Sequence, residues 1–169
     1  MSDAPRTPYP PEPDGDGDDE FLDATFEDAD WSNRRETRFS ARRVEFLRAR
    51  MTGAQLPEST LMDVTFADCR ADLISFRFAK LERVVFRDCR LEEADFHGAE
   101  LEDVLFERCD LRLASVDHAR IKRVELRGCN LDGMQGAEAL RGVRIPWNDV
   151  VGNAPLFAAA LGIEIVEDE

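Results

Sequence analysis

The sequence predicts an all-β solenoid, a chain wound into stacked coils, and three observations predict it. Residues at one phase of a five-residue period are all apolar from Phe46 to Leu131, and a small or medium residue usually stands two positions before each. Four such fives form a larger unit, because Cys69, Cys89, Cys109 and Cys129 are twenty residues apart. A period of five matches neither an α-helix nor a plain strand. The repeat therefore indicates an architecture in which each unit contacts only its neighbours.

The two periods together predict a square coil with an apolar interior. If a short extended step places two side chains inward and the next polar residues turn the chain by about a right angle, four steps close one coil. Stacking such coils at the inter-strand spacing of about 4.8 Å places residues twenty apart above one another. The interior then consists of ladders of like residues, which are Phe46, Phe66, Phe86 and Phe106; Val64, Val84, Val104 and Val124; and Cys69, Cys89, Cys109 and Cys129.

Two stretches carry a family resemblance. Ala94-Asp95-Phe96 and Cys129-Asn130-Leu131 fit the pattern Ala-(Asp/Asn)-Leu-X-X, with Leu or Phe at the centre. Over about residues 22–135 the chain resembles the pentapeptide repeat family. The resemblance implies a right-handed quadrilateral β-helix of stacked pentapeptide coils, and it also implies dimerisation through C-terminal elements, which is frequent in the family.

The N-terminal part divides into a tail and the first coils. Residues 1–20 contain five prolines, two glycines and seven acids, and this composition predicts a disordered, acidic, proline-rich tail. Whether the tail packs along the coils stays open. Residues 21–145 are predicted to form the β-helix. Charged or size-swapped residues occupy inward positions at Arg34, Glu36, Phe39 and Ala41, so we expect a loop to bulge out there, with an irregular first coil as the alternative.

Beyond Leu131 the five-residue pattern fades and a different kind of structure is predicted. Residues 140–145 alternate as a strand would, until Pro146 interrupts them. Residues 153–162 are predicted to form a short helix, with Asn153 as its cap, Pro155 in its first turn and Gly162 at its end. Residues 163–166 suggest a last strand.

The predicted C-terminal helix and strand cap covers residues 146–169. It would cover the unpaired backbone at the open end of the β-helix. Its apolar residues also favour a homodimer, for which the candidate contacts are Leu156, Phe157 and Leu161.

The net charge of −14 lies mostly in the two ends of the chain. Residues 21–163 contain 21 basic and 25 acidic residues, so the body is only mildly acidic. This balance excludes a basic footprint for direct nucleic-acid binding and a polybasic surface for anionic lipid. Neither a secretory signal nor a bilayer-spanning apolar stretch is recognised, so we expect a cytoplasmic protein with no membrane partner.

Residue types that carry chemistry are sparse. Zinc sites need sulfurs that converge tetrahedrally, whereas the four cysteines lie in one ladder, so we expect free structural thiols. His97 and His118 are the two histidines, and Asp117 could orient one of them as a base. The pattern supplies no nucleophile or cleft beside them, and a surface charge ladder is the better interpretation. We therefore expect no enzyme, no catalytic residue, no metal and no cofactor.

Surface charges decide between two functions. Charges alternate in sign up a column, as in Arg43, Asp63, Arg83, Asp103 and Arg123, which predicts a salt-bridged surface. The first hypothesis is a non-enzymatic interaction or scaffold protein with an unknown protein partner. The alternative follows from the resemblance: pentapeptide repeat proteins of the fluoroquinolone-resistance type are understood to imitate duplex DNA and to bind DNA gyrase, a type II topoisomerase. Charge alternation and the positive column Arg50, Arg70 and Arg90 weigh against a DNA-mimicking regulator of gyrase.

Outward apolar residues are a further candidate for a partner surface. Val85 and Leu105 stack at an outward position, while Leu73, Phe78 and Leu113 lie on other faces. High strand propensity alone would also explain Val85.

Overall fold

The computed structural model describes residues 3–12 and 21–168. Six parallel strands form one sheet in sequential order, and each strand pairs with the next at an offset of twenty residues. The strands are β1 (Leu22–Glu27), β2 (Ser40–Leu47), β3 (Thr60–Ala67), β4 (Lys80–Arg87), β5 (Glu100–Glu107) and β6 (Arg120–Arg127). The predicted β-solenoid is therefore confirmed.

The corners of each coil are set by the backbone. Every fifth residue from Asp23 to Gly133 has a φ of about +50° to +71°, a conformation that L-residues adopt mainly in tight turns. At one such corner the Ala54 N–H donates to the Met51 carbonyl at 3.0 Å, which closes a turn around Gly53. Each eight-residue strand contains one corner, and isolated parallel bridges such as Arg50 with Arg70 join the other sides. The coil consequently has four sides of five residues.

The interior consists of stacked like residues, as the twenty-residue period predicts. The ring centroids of Phe46, Phe66, Phe86 and Phe106 follow one another at 5.1, 4.8 and 5.0 Å, with nearly parallel planes. The valine and cysteine ladders are buried in the same core. Each coil thus covers the apolar surface of the previous one, and large and small columns fill the interior together.

The predicted bulge at residues 34–41 is wrong. Asn33 and Arg38 keep the positive φ of the corners, so the five-residue period continues through the first coil. Phe39 and Ala41 are both buried and exchange the usual large and small positions. Arg34 pairs with Glu36 at 2.6 Å, and its guanidinium lies 4.0 Å from the centre of the Trp31 ring. Because this coil is at the end of the stack, the pair keeps partial access to water.

The C-terminal region differs from its predicted strands. A 3-10 helix spans Ala137–Leu140, and Gly142 turns the chain with a φ of +80°, so the predicted strand over residues 140–145 is wrong. Arg144 alone makes a parallel bridge, with Glu125 of β6. Residues 163–166 are exposed and pair with no strand in the described part of the chain, so the predicted last strand is also wrong.

Two short helices form the rest of the C-terminal region. Helix α1 spans Trp147–Gly152 and was not predicted, while helix α2 spans Ala154–Ala160 where a helix was expected. Pro155 lies in the first turn of α2, as predicted. Among residues 3–12 and 21–168, no helix combines the length and apolar character that a bilayer crossing needs.

Candidate interaction surfaces

Acids and arginines twenty residues apart pair between neighbouring coils along one corner column. The Arg83 guanidinium donates to the Asp63 carboxylate at 2.6 and 3.0 Å, and Arg123 makes the same contact with Asp103 at 2.7 and 2.9 Å. The side chains of Asp63 and Asp103 are only 3% and 0% exposed. The hydrogen bond from Arg123 holds the pKa of Asp103 well below its usual range, so the carboxylate stays ionised. We call Asp23, Asp63 and Asp103 the acid column.

Other columns carry more exposed ion pairs of the same kind. Arg108 contacts Asp88 at 2.7 Å, and Lys122 contacts Glu102 at 3.1 Å. Water and salt screen such exposed pairs, so they contribute little to stability and their main effect is on surface potential. Because bases and acids alternate at adjacent coils, these columns do not build a continuous stripe of one sign.

Residues 3–12 lie on the acid column, and we call them the N-terminal segment. The composition predicted a disordered tail over residues 1–20, whereas the structure places residues 3–12 in contact with the coils; residues 1–2 and 13–20 lie outside the described part of the chain. Arg6 contacts the Asp103 carboxylate at 2.7 Å, and the Tyr9 N–H donates to Asp63 at 3.1 Å. The open question about the tail is thus answered for this segment.

The histidines form a small cluster with Asp117. Nδ1 of His118 is 3.2 Å from the Asp117 carboxylate and Nδ1 of His97 is 3.9 Å from it. Within the described residues these three form the one group of such side chains whose ligand atoms lie within 4.8 Å of one another, so a metal ion could bind here. His118 is 74% exposed, however, and a base open to water lacks the enclosed surroundings of a catalytic site. The cluster fits the predicted surface charge ladder.

The cysteines lie in one buried column and are free. Each thiol donates to the carbonyl of the phenylalanine 23 residues earlier, as in Cys89 with Phe66 at 3.4 Å and Cys109 with Phe86 at 3.2 Å. Hydrogen bonding to the neighbouring Cys109 thiol, together with burial, raises the pKa of Cys89 to about 12. A protonated buried thiol is a packing group and a poor metal ligand or nucleophile.

Exposed apolar surface is concentrated near the C-terminus. A groove is lined by Leu140, Val143, Ile145, Phe157 and Leu161, and we call it the C-terminal groove. Of the predicted contact residues, Leu161 is 73% exposed, while Leu156 and Phe157 are half-buried against the core. The large exposed apolar side chains of this region are Trp147, Val151, Leu161, Ile163, Ile165 and Val166.

The coils present less apolar surface than expected. Leu73, Phe78 and Leu113 are about half exposed, as predicted for outward positions. Val85 is only 5% exposed, and Leu105 is half-buried, so the expected apolar partner surface at these two residues is wrong. Val85 lies between Thr65 and Leu105 in the strand register, where its neighbours in the sheet flank it.

Comparisons with known proteins agree with the repeat. The family model described as pentapeptide repeat region matches residues 39–116. No curated protein matches the chain. Similar solved structures include HetL, a pentapeptide repeat protein involved in heterocyst differentiation regulation from the cyanobacterium Nostoc sp. strain PCC 7120, with 16% identity, 71% of this chain covered and a TM-score of 0.37. The chain spans 61% of HetL.

A second similar structure is QnrB1, a plasmid-mediated fluoroquinolone resistance protein, with 20% identity, 84% of this chain and 88% of QnrB1 covered, and a TM-score of 0.35. A pentapeptide repeat protein from the cyanobacterium Cyanothece 51142 has 12% identity over 66% of this chain and 84% of its own, with a TM-score of 0.28.

Proposed function

We propose that the molecule is a non-enzymatic interaction scaffold that works as a homodimer and presents its coils to a protein partner, and the match of residues 39–116 to the pentapeptide repeat region model supports this proposal. The observation that supports the proposal is the uneven distribution of apolar surface. The coils carry paired charges, whereas the residues after Pro146 expose large apolar side chains beside a groove of the same character. Contiguous exposed apolar surface commonly marks a protein–protein contact.

A second copy of the chain suits the C-terminal groove. The groove lies beside the protruding Leu161 and Ile163, which are 73% and 56% exposed. In a two-fold dimer the same surface contacts itself, so the apolar end of one copy can fill the groove of the other. Helices α1 and α2 have only six and seven residues, and helices this short depend on packing for stability. A dimer interface would supply that packing.

The surface chemistry favours binding over catalysis. The cysteine column is buried, and the histidine cluster lies open to water. Free buried thiols also suit a reducing compartment, so we place the protein in the cytoplasm. Neither feature requires a cofactor.

Self-association is tested by one substitution and a matched control. Leu161→Asp places a charge in the groove at a residue that packing does not enclose, so the fold should survive while the dimer dissociates. The control variant is Leu113→Asp, which changes another solvent-exposed leucine. Leu113 is 49% exposed and lies on the coils. Light scattering at tens of micromolar should give a dimer for the wild type and for Leu113→Asp, and a monomer for Leu161→Asp, with matching circular dichroism. A wild-type monomer under these conditions would contradict the homodimer.

A further inference from the structure

We propose that the acid column is a binding site for polyproline II segments, and that the N-terminal segment is its ligand within the same chain. This site is distinct from the C-terminal groove and does not depend on the dimer. The occupant is an extended proline-rich peptide with a free backbone N–H at every third residue.

The N-terminal segment contacts the acid column at regular intervals. The backbone N–H of Arg6 donates to Asp103 at 3.0 Å. Tyr9 N–H donates to Asp63 at 3.1 Å, and Glu12 N–H donates to Asp23 at 3.1 Å. The donors are three residues apart, while the acceptors are forty residues, or two coils, apart. The segment consequently runs along the stack in the direction opposite to that in which the coils follow one another.

The two periods agree in length. Three residues of a polyproline II helix complete one turn and advance about 9.3 Å. Two coils stacked at the inter-strand distance span about 9.6 Å. A polyproline II segment laid along this column therefore brings an N–H to a carboxylate once per turn without distortion.

The sequence of the segment fits this conformation. A proline precedes each donor, at Pro5, Pro8 and Pro11. These three prolines are half-buried, so one edge of a helix with three residues per turn faces the coils. The residues between and after them are exposed, namely Arg6, Thr7, Tyr9, Pro10 and Glu12. Proline holds φ near the polyproline II value and restricts the preceding residue as well. The segment thus loses little conformational entropy when it binds.

The acceptors are held in place before any peptide binds. Arg83 from the next coil orients the Asp63 carboxylate, and Arg123 orients Asp103. Each carboxylate then accepts bonds from its arginine and from the segment, and bonds to an ionised acceptor are stronger than neutral ones. With the segment in place both acids are nine-tenths or more buried, so the segment and the arginines together shield each carboxylate from water.

Side chains of the segment add selectivity at two points. The Arg6 guanidinium also contacts Asp103, with Nε at 2.8 Å and Nη2 at 2.7 Å. The Tyr9 ring lies 5.8 Å from the Arg83 guanidinium. The site therefore favours a basic residue over Asp103 and an aromatic residue over Arg83, and a competing peptide from another protein would need the same order.

Hydrogen exchange on the full chain tests the contacts directly. We expect slow exchange at the N–H groups of Arg6, Tyr9 and Glu12 and fast exchange at Thr7, which has a free N–H between two of the donors. Uniformly fast exchange at all four positions would overturn the proposal. Protection that disappears on dilution would assign the segment to a second copy and overturn its placement within the same chain.

Binding from solution tests the ligand class. A full-length variant with Arg6→Pro, Tyr9→Pro and Glu12→Pro keeps the extended segment but removes its three donors, which should free the column. A fluorescent peptide with the sequence of residues 3–12 should bind this variant at one saturable site, and should bind the wild type at least about tenfold more weakly because its own segment competes.

Two controls make the result specific. Asp63→Ala in the freed variant should weaken peptide binding by about tenfold or more, the loss expected of a charge-assisted bond. Asp88→Ala, at a paired acid on another column, should leave binding unchanged. A peptide with proline at its three donor positions should not bind. Equal binding to the freed variant and the wild type, or no effect of Asp63→Ala in a variant with unchanged circular dichroism, would overturn the site.

Discussion

At the corners of the coils, the side chain of one residue lies over the backbone of the residue twenty positions later. A Cβ added to Gly98 would be 2.5 Å from the Phe78 ring, and one added to Gly133 would be 2.7 Å from Leu113. Within residues 3–12 and 21–168, nineteen residues other than glycine adopt positive φ, all of them at equivalent corners. Position 98 therefore requires glycine mainly because a side chain there would clash with the Phe78 ring, and less because of its positive φ.

This distinction gives a stability prediction. Gly98→Ala should reduce the free energy of unfolding by about 1–3 kcal/mol, because the Phe78 ring must move. Gly128→Ala serves as the control, since its Cβ would be 3.4 Å from a flexible atom of Arg108 at a similar φ. Urea unfolding should show a larger loss for Gly98→Ala, and adding Phe78→Ala should remove the difference. Equal losses for both alanine variants would mean that the positive φ, and not a clash with the Phe78 ring, determines the cost of the substitution.

The burial and pKa values of the cysteine ladder predict its reactivity. Hydrogen bonding to the next thiol and burial raise the pKa of Cys89 and of Cys109 to about 12, so neither forms a thiolate at neutral pH. Cys129 is the most exposed of the four, at 8%, and the Cys109 thiol lowers its pKa. We expect a thiol reagent at pH 8 to leave Cys69, Cys89 and Cys109 unmodified until denaturant is added. Mass spectrometry should find any early label on Cys129, and rapid native labelling of Cys89 would contradict the assignment.

Asn153 joins the C-terminal helices to the last coil. Its Oδ1 accepts from the Leu131 N–H at 3.2 Å, and its Nδ2 donates to the Asp149 carbonyl at 2.8 Å. The sequence predicted it as a helix cap, but its side chain makes no capping bond to α2. One buried amide thus links the final coil, α1 and the start of α2.

Removal of this amide should loosen the C-terminal helices before the coils. Asn153→Ala leaves the Leu131 N–H without its partner, and such a loss costs about 1–3 kcal/mol. Limited proteolysis should cut after α1 faster in this variant, while the strands stay protected. Asn148→Ala, at an exposed asparagine of α1, is the control and should digest like the wild type. Unchanged proteolysis of Asn153→Ala would show that apolar packing alone holds the helices.

The regular elements could be predicted because each coil repeats the same local rule. Phe86 stacks on Phe66 for the same reason that Phe106 stacks on Phe86, so one period determines six strands. The irregular ends follow no repeat. At one end of the stack Arg34 and Glu36 form an ion pair with each other. At the other end residues 140–145 alternate in polarity, but only Arg144 makes a bridge to a strand.

The peptide site was missed because composition ignores spacing. The acids and prolines of residues 1–20 predict disorder when they are counted together. The informative signal was the three-residue recurrence of Pro5, Pro8 and Pro11, which fits an acid period of two coils. This match can be recognised only when the coil spacing is known, because neither the proline period nor the acid period by itself indicates a contact.

Paired acids make the stability of the molecule depend on pH. The hydrogen bond from Arg43 lowers the pKa of Asp23 from 3.8 to about 2, and Arg123 lowers that of Asp103. Groups with lowered folded-state pKa values stabilise the fold above their unfolded pKa, and this contribution is lost as the pH falls through the folded value. We expect the urea midpoint to fall between about pH 4 and pH 2, and Asp103→Asn to reduce that slope. A midpoint independent of pH over this range would contradict the prediction.

The charge pairs also predict how the molecule behaves toward an enzyme that binds DNA. A protein that imitates duplex DNA needs a continuous negative surface, because its attraction to a basic DNA-binding surface depends on summed charge. Here Lys122 contacts Glu102 at 3.1 Å and Arg120 contacts Glu100 at 3.9 Å, so both of these acids have a base one coil away.

We therefore expect no inhibition of gyrase supercoiling at near-stoichiometric wild-type protein. The variant Arg120→Glu with Lys122→Glu changes two residues that are 84% and 65% exposed, so it should fold and present four acids on this face. If charge compensation is the barrier, any inhibition should appear in this variant first and should weaken as salt is added. Stoichiometric inhibition by the wild type that is lost on reversing Glu100 and Glu102 would instead establish DNA mimicry despite alternating charge.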